Sequence, residues 1–224
     1  MGHPLAPVSV APLDPASLQR HYARFGVAGR LRLTGHSHQA WPDVSFEAQK
    51  RAWLDAADAA DLKWTRAEAV AARFRAGLAE RLDDPDGEYA LGQNTHELVV
   101  RLLSALDLRA RPRLVSTDGE FHSLRRQLDR LAEAGLEVVK VPALPADGLA
   151  ERLCAALDDR TAAVLVSAVL FRNAHIVPGL GRVADACERR GATLLVDAYH
   201  AVNAVPFSVR GEGLETAFVV GGGY

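Results

Sequence analysis

Apolar positions recur with a helical period as far as Leu82 and gather into short continuous runs after Pro85. Asp14-Pro15 sets a capping residue before a first-turn proline and predicts a helix to about Phe25. An Ala-rich stretch after Pro42 predicts a second helix to about Asp61. Thr65-Arg66-Ala67-Glu68 fits a capping box opening a third through Leu82, with Val70, Phe74, Leu78 and Leu82 along one stripe. Beyond Pro85, strands are predicted near Glu88–Gly92, Arg113–Ser116, Leu136–Val141, Ala162–Ala168, Ala192–Asp197 and Ala217–Val220. Helices alternate with them near Thr95–Ala105, Leu124–Ala134, Gly148–Leu157 and Leu180–Arg189, where Gly191 follows as a stop.

The later strands are uninterrupted apolar runs, the pattern of strands covered on both faces. Their alternation with helices implies an α/β fold: a mostly parallel central sheet with helices on both faces and right-handed crossovers. An amino-terminal helical segment precedes it. The expected organisation is an arm and helical segment over 1–85, with a loose Pro- and Ala-rich arm at Met1 to Pro12, and an α/β domain over 86–224.

Composition narrows the function classes. A net charge of -2 argues against a nucleic-acid-binding surface, and the densest basic cluster, Arg109-Ala110-Arg111-Pro112-Arg113, reads as a solvated helix-to-strand loop. Cys154 and Cys187 both fall on apolar helix faces and read as buried thiols. With no CxxC, no signal peptide and no apolar run near the membrane-spanning length, the expectation is a soluble cytoplasmic protein. Lysine occurs at positions 50, 63 and 140 alone, so nearly all of the 26 basic side chains are arginine.

Ligands of open α/β sheets collect at the strands' carboxyl ends. That rule brings together Gly92-Gln93-Asn94-Thr95, Glu120-Phe121-His122-Ser123, Ser167 and Asp197-Ala198-Tyr199-His200. Asn94 with Glu97 fits a helix cap, which reads either as an ordinary cap or, through its free N–H groups, as an anion site. A carboxylate at Asp197, closing an apolar strand, is placed to hold a protonated ring nitrogen of a cofactor. Gly221-Gly222-Gly223-Tyr224 follows the last strand as a loop that admits close backbone approach.

Taken in order, these motifs resemble the pyridoxal-phosphate (PLP) site of class V aminotransferases, kynureninases most of all. The resemblance spans the chain from the Gly35-His36-Ser37 segment to Tyr224 and covers the larger part of that family's cofactor domain. It implies PLP as cofactor, an amino-acid substrate held through a Schiff base, and a homodimer. Asn94 and Thr95 take the phosphate-gripping turn, and Phe121 the position of the ring that stacks on the cofactor, with His122 as the alternative facing group. Ser167 matches a serine directed at the cofactor, and Tyr224 a tyrosine that reaches its phosphate. Asp197 holds the pyridinium nitrogen, and His200 touches the phenolic oxygen or the substrate carboxylate region. The Schiff-base lysine is expected at the residue after Tyr224, followed by a small carboxyl-terminal domain.

On the substrate side the chain departs from the kynureninase pattern, with Gly35-His36-Ser37-His38-Gln39 and Leu170-Phe171-Arg172-Asn173-Ala174-His175. His36 and Arg172 are the substrate-binding candidates, Arg172 as a bidentate partner for a carboxylate. Kynureninase-like hydrolytic cleavage is the expected reaction, with transamination as the alternative and a cysteine desulfurase-type lyase behind both. His36-Ser37-His38 also resembles the HxH of metal-dependent hydrolases, but the long helices over residues 43–82 fit that alternation poorly, and no metal is expected. Gln39 fails the nucleophile-elbow pattern, and the glycines at 221–223 form no GxGxxG. A scaffold that keeps the fold without the lysine is the non-enzymatic alternative.

Overall fold

The computed structural model describes residues 14–30 and 39–222. The chain divides into two compact units at Ala71/Ala72. In the first, α1 (Pro15–Gln19) is capped by Asp14, whose carboxylate accepts from the N–H groups of Ala16 and Ser17. The helix expected to reach Phe25 instead tightens into a 3₁₀ segment, Arg20–Phe25, interrupted at Tyr22 with φ −127°. Next come α2 (Asp43–Ala59) and the first half of α3 (Lys63–Arg81). The capping box expected at Thr65 is not used, because α3 is already under way at Lys63. The interruption sits at Ala60, whose φ of 45° breaks the helix in an alanine-rich stretch with no glycine or proline to mark it. The expected α3 stripe is also corrected. Val70 and Phe74 are exposed, Leu78 is half-buried, and Leu82 alone joins a core.

The second unit is the α/β domain. Its helices are the rest of α3, α4 (Thr95–Ala105), α5 (His122–Glu133), α6 (Leu149–Ala156), α7 (Leu180–Arg189) and a short α8 (Val209–Glu212). Five strands, β1 (Arg113–Thr117), β2 (Glu137–Val141), β3 (Thr161–Ser167), β4 (Thr193–Asp197) and β5 (Phe218–Val220), form one parallel sheet ordered β2-β1-β3-β4-β5. Because successive strand side chains point to opposite faces, two cores result. Val115, Val164, Val166, Leu194 and Val196 pack against α6 and α7 through Leu149, Leu153, Leu180 and Val183. Leu114, Ala163, Leu165, Leu195 and Val220 face α4 and α5 through Val99, Leu103, Leu124 and Leu128. Every residue of β3 is buried, as expected of a central strand.

The strand expected at Glu88–Gly92 does not form. That segment has no ladder partner among the described residues and is pinned by its side chains: the Tyr89 hydroxyl donates to Asp84, and Arg75 donates to the Tyr89 carbonyl. Alternation alone cannot supply the neighbouring edge that a strand needs. Helix α8 was not foreseen; it is a single turn capped by Ser208, whose hydroxyl accepts from the Gly211 N–H. Gly191 does end α7, with φ 60°. The arginine cluster is more engaged than a solvated loop. Arg111 donates to the carbonyls of Arg190 and Gly191, and Arg113 pairs with Glu137 and Asp158. Cys187 is buried, with its thiol pushed up to about 12 by desolvation; Cys154 is half-buried rather than buried, and its thiol is raised by the same cause. No described helix is long and apolar enough to cross a membrane.

Candidate active site

The strands end together, and that puts the polar residues on one edge. Register pairs Ser167 with Asp197 and Asp197 with Val220. The alignment continues one step further: the Ala168 N–H donates to the Asp197 carbonyl, and the Ala198 N–H to the Val220 carbonyl. From β1, the Ser116 hydroxyl donates to the Leu165 carbonyl at 2.8 Å and ties that strand's end to β3.

Asp197 is 6% exposed. Its Oδ1 accepts from the Tyr199 N–H at 2.9 Å, closing the turn after β4, while no described residue donates to Oδ2. Burial pushes its pKa above the ordinary carboxylate value, partly offset by the Tyr199 N–H and by His200. A buried carboxylate with one uncommitted oxygen gains most from a cationic N–H donor.

Beside it lies a second buried carboxylate, Glu120, for which the sequence pattern predicts no role. Glu120 is 2% exposed and sits two residues before α5. Its Oε1 accepts from the Thr117 hydroxyl at 2.7 Å and from the Ser167 N–H at 3.3 Å; its Oε2 lies 2.6 Å from the Ser167 hydroxyl. Desolvation lifts Glu120 to about 7 against the opposing hydrogen bonds of Ser167 and Thr117, and the Asp197 charge adds to the rise. Ser167 therefore spends its hydroxyl on Glu120. A carboxylate two places ahead of a helix has no periodicity to mark it; its burial follows from where β1 and β3 end.

Aromatic rings gather above these groups. Phe121, the residue before α5, is 38% exposed. Its ring lies 5.2 Å from His122, 5.3 Å from Phe171 and 5.9 Å from His200, the last two edge-on. Tyr199 in turn meets His200 at 5.8 Å. Both sequence candidates for the facing ring, Phe121 and His122, thus belong to one cluster with His200. Phe171, from the segment expected on the substrate side, completes it. Arg172 stacks on Phe171 at 5.9 Å and borders an open cavity of about 240 Å³ that Asp118, Gly119, Leu144 and Leu170 also line.

At α4, the Asn94 Oδ1 accepts from the Glu97 N–H at 2.9 Å, and Glu97 Oε2 accepts from the Gln93 N–H at 2.8 Å, a reciprocal cap. Thr95 Oγ1 is buried with no hydrogen-bond partner. Helix α4 leads into β1 through the short connection 106–112, so its amino terminus points back toward the carboxyl edge. Among the described residues no contact joins Asn94 or Thr95 to Asp197 directly; their elements meet where Val99, Leu195 and Val220 share a core. After β5, a Cβ on Gly222 would stand 2.7 Å from the Tyr199 ring, so glycine there permits the close approach. Tyr224 and His36 lie outside the described residues, as does the His36-Ser37-His38 segment. Among the described residues no cluster of three His, Cys, Asp or Glu is arranged to hold a metal ion.

No family model matches the chain, and no curated protein matches it in sequence. Solved structures do match. A mutant of C-DES with glycine covalently linked to its PLP cofactor aligns over 92% of this chain at a TM-score of 0.78 and 18% identity, covering 55% of that chain. The cystine C-S lyase C-DES in complex with its product cysteine persulfide aligns over 83% at 0.68 and 20% identity, covering 51% of that chain. DndA from Streptomyces lividans aligns over 75% at 0.61 and 22% identity, covering 48%. The chain thus spans about half the length of these neighbours and shares their fold, that of the PLP-transferase large domain.

Proposed function

We propose that this chain forms the cofactor-binding part of a PLP-dependent enzyme of the class V aminotransferase type that acts on an amino acid. The observation that carries the reading is Asp197: a buried carboxylate at the end of a central strand, with one oxygen that no described residue claims. The donor set fits PLP at both ends. Asp197 offers an acceptor for a protonated ring nitrogen, while the orphaned Thr95 hydroxyl and the first-turn N–H groups of α4 offer donors for a phosphate. The half-exposed Phe121 ring offers a flat apolar face for the cofactor ring. When bound, PLP supplies an electron sink for a carbanion formed at the substrate.

In this reading Asp197 keeps the ring nitrogen protonated, because the buried carboxylate is stabilised by the charge it holds. Asn94 sets the α4 terminus and Thr95 binds phosphate. Phe121 limits ring tilt and keeps water from that face. His200, held edge-on to Phe121 and Tyr199, orients polar groups at the ring's rim. Ser167 acts on the site through Glu120. The active enzyme is a homodimer, which light scattering on the full-length protein tests.

For the reaction, kynureninase-like hydrolytic cleavage is the first reading, supported by the apolar Phe121 and Phe171 wall, which suits a substrate with an aromatic side chain. Arg172 and His36 are its substrate-side residues. Carbon–sulfur lysis is the second, favoured by the C-DES neighbours; transamination is the third. Incubation of the full-length protein and PLP with kynurenine, with cystine, and with an amino donor plus keto acid separates them. Anthranilate, persulfide or a new amino acid is the respective product. Turnover of none of them, together with no PLP absorbance band in the purified protein, refutes the proposal.

A further inference from the structure

We propose that Glu120 is a positioning residue of the site, an ionisable clip that joins the ends of β1 and β3, sets Phe121 in place, and adds its negative charge to that of Asp197 when a cationic ring binds. The inference rests on the PLP reading and deepens it. Three donors converge on the carboxylate: the Thr117 hydroxyl, the Ser167 N–H and the Ser167 hydroxyl. The Gly119 N–H donates to Thr117 Oγ1 at 3.1 Å, which leaves the Thr117 proton aimed at Glu120. β1 and β3 are paired through Val115 and Val164. The Glu120 carboxylate spans the two strands beyond that pair, and the next residue is Phe121. Removing the clip frees the loop that carries the stacking ring.

Electrostatics give the clip a second effect. Ser167, which holds Glu120, is the register partner of Asp197. The charged group that acts on Glu120 is Asp197, from the end of β4; His200 acts on Asp197, and His122 opens α5 behind Phe121. Two buried carboxylates side by side favour a ligand that brings one positive charge. Glu120 titrates near neutral pH because it is buried, so its contribution switches on as pH rises.

The probe is pyridoxamine 5'-phosphate, which binds without a Schiff base, titrated into the full-length protein with its own cofactor removed and followed by fluorescence. Protonated glutamate and glutamine have the same shape, so Glu120→Gln binds like the wild type below pH 6. Above pH 8 its Kd rises to about tenfold that of the wild type, the equivalent of one unit of pKa coupling. Glu120→Ala, which loses the clip itself, binds weakly at every pH. If the Glu120→Gln to wild-type ratio does not change with pH, the inference is overturned while the cofactor reading stands. A wild-type protein that fails to bind at any pH overturns both, and an unaltered Glu120→Ala affinity removes the clip. Melting curves of each variant, taken beforehand, establish that the proteins compared are folded.

Discussion

Asp197 and Glu120 are buried for the same geometric reason, the level ending of adjacent strands, and burial lifts both above their ordinary values. The consequence for stability has a definite sign. A carboxyl raised on folding stabilises the native state below its unfolded value and loses that contribution as pH climbs through the folded one. For Glu120 the window runs from the ordinary 4.5 to about 7, with a contribution on the order of 3 kcal/mol; Asp197 acts in the same direction. The cofactor-free protein is therefore expected to lose urea resistance between pH 4.5 and 7.5, and Glu120→Gln to lose clearly less. Parallel slopes for the two proteins contradict the assignment. Asp197→Asn keeps the shape and removes the charge. It is expected to melt at or above the wild-type temperature without cofactor, yet to bind pyridoxamine 5'-phosphate at least about 100-fold more weakly, a loss of about 2.7 kcal/mol typical of a buried charge-assisted hydrogen bond. Asp197 was legible from sequence because an acidic residue closing an apolar run stands out. Glu120 was not, since only the meeting of β1 with β3 shows that its carboxylate is enclosed.

The amino terminus of α4 separates fold from function cleanly, because its two polar residues have different partners. Asn94 serves the helix by accepting from Glu97, so Asn94→Ala is expected to cost about 1 kcal/mol of stability, read as a lower melting temperature. Thr95 Oγ1 serves nothing in the described structure. Thr95→Val is accordingly expected to leave melting unchanged or slightly raised, and to weaken pyridoxamine 5'-phosphate binding about five- to tenfold through loss of one hydrogen bond. A Thr95→Val protein that is destabilised but binds normally would show the hydroxyl to be structural. Caps and periods of this kind made α4 and α7 readable to the residue. The failures share a cause as well. The 88–92 segment alternates like a strand but pairs with no described residue, and the α2–α3 break falls at an alanine, where local sequence carries no signal.

For the molecule as a whole, the two units differ in how their apolar surface is used. The α/β unit buries its apolar side chains on both faces of the sheet. In the first unit, by contrast, Trp41, Trp53 and Trp64 are 59%, 73% and 69% exposed. These are the chain's three tryptophans. The 224-residue chain is thus expected to emit at the wavelength of water-exposed indole, with acrylamide quenching close to that of a free indole; weak quenching would show this surface to be covered. What the sequence by itself determined here is the local grammar: the period of each element, the alternation that makes a parallel sheet, the carboxyl-edge placement of Asp197. These follow from short-range sterics and from which faces must be apolar. Tertiary structure decided which strand ends are level, and hence that Glu120 closes onto Ser167 and that Phe171 joins Phe121 and His200. Such contacts link residues tens of positions apart, and their energies depend on enclosure, a property that no stretch of sequence carries alone.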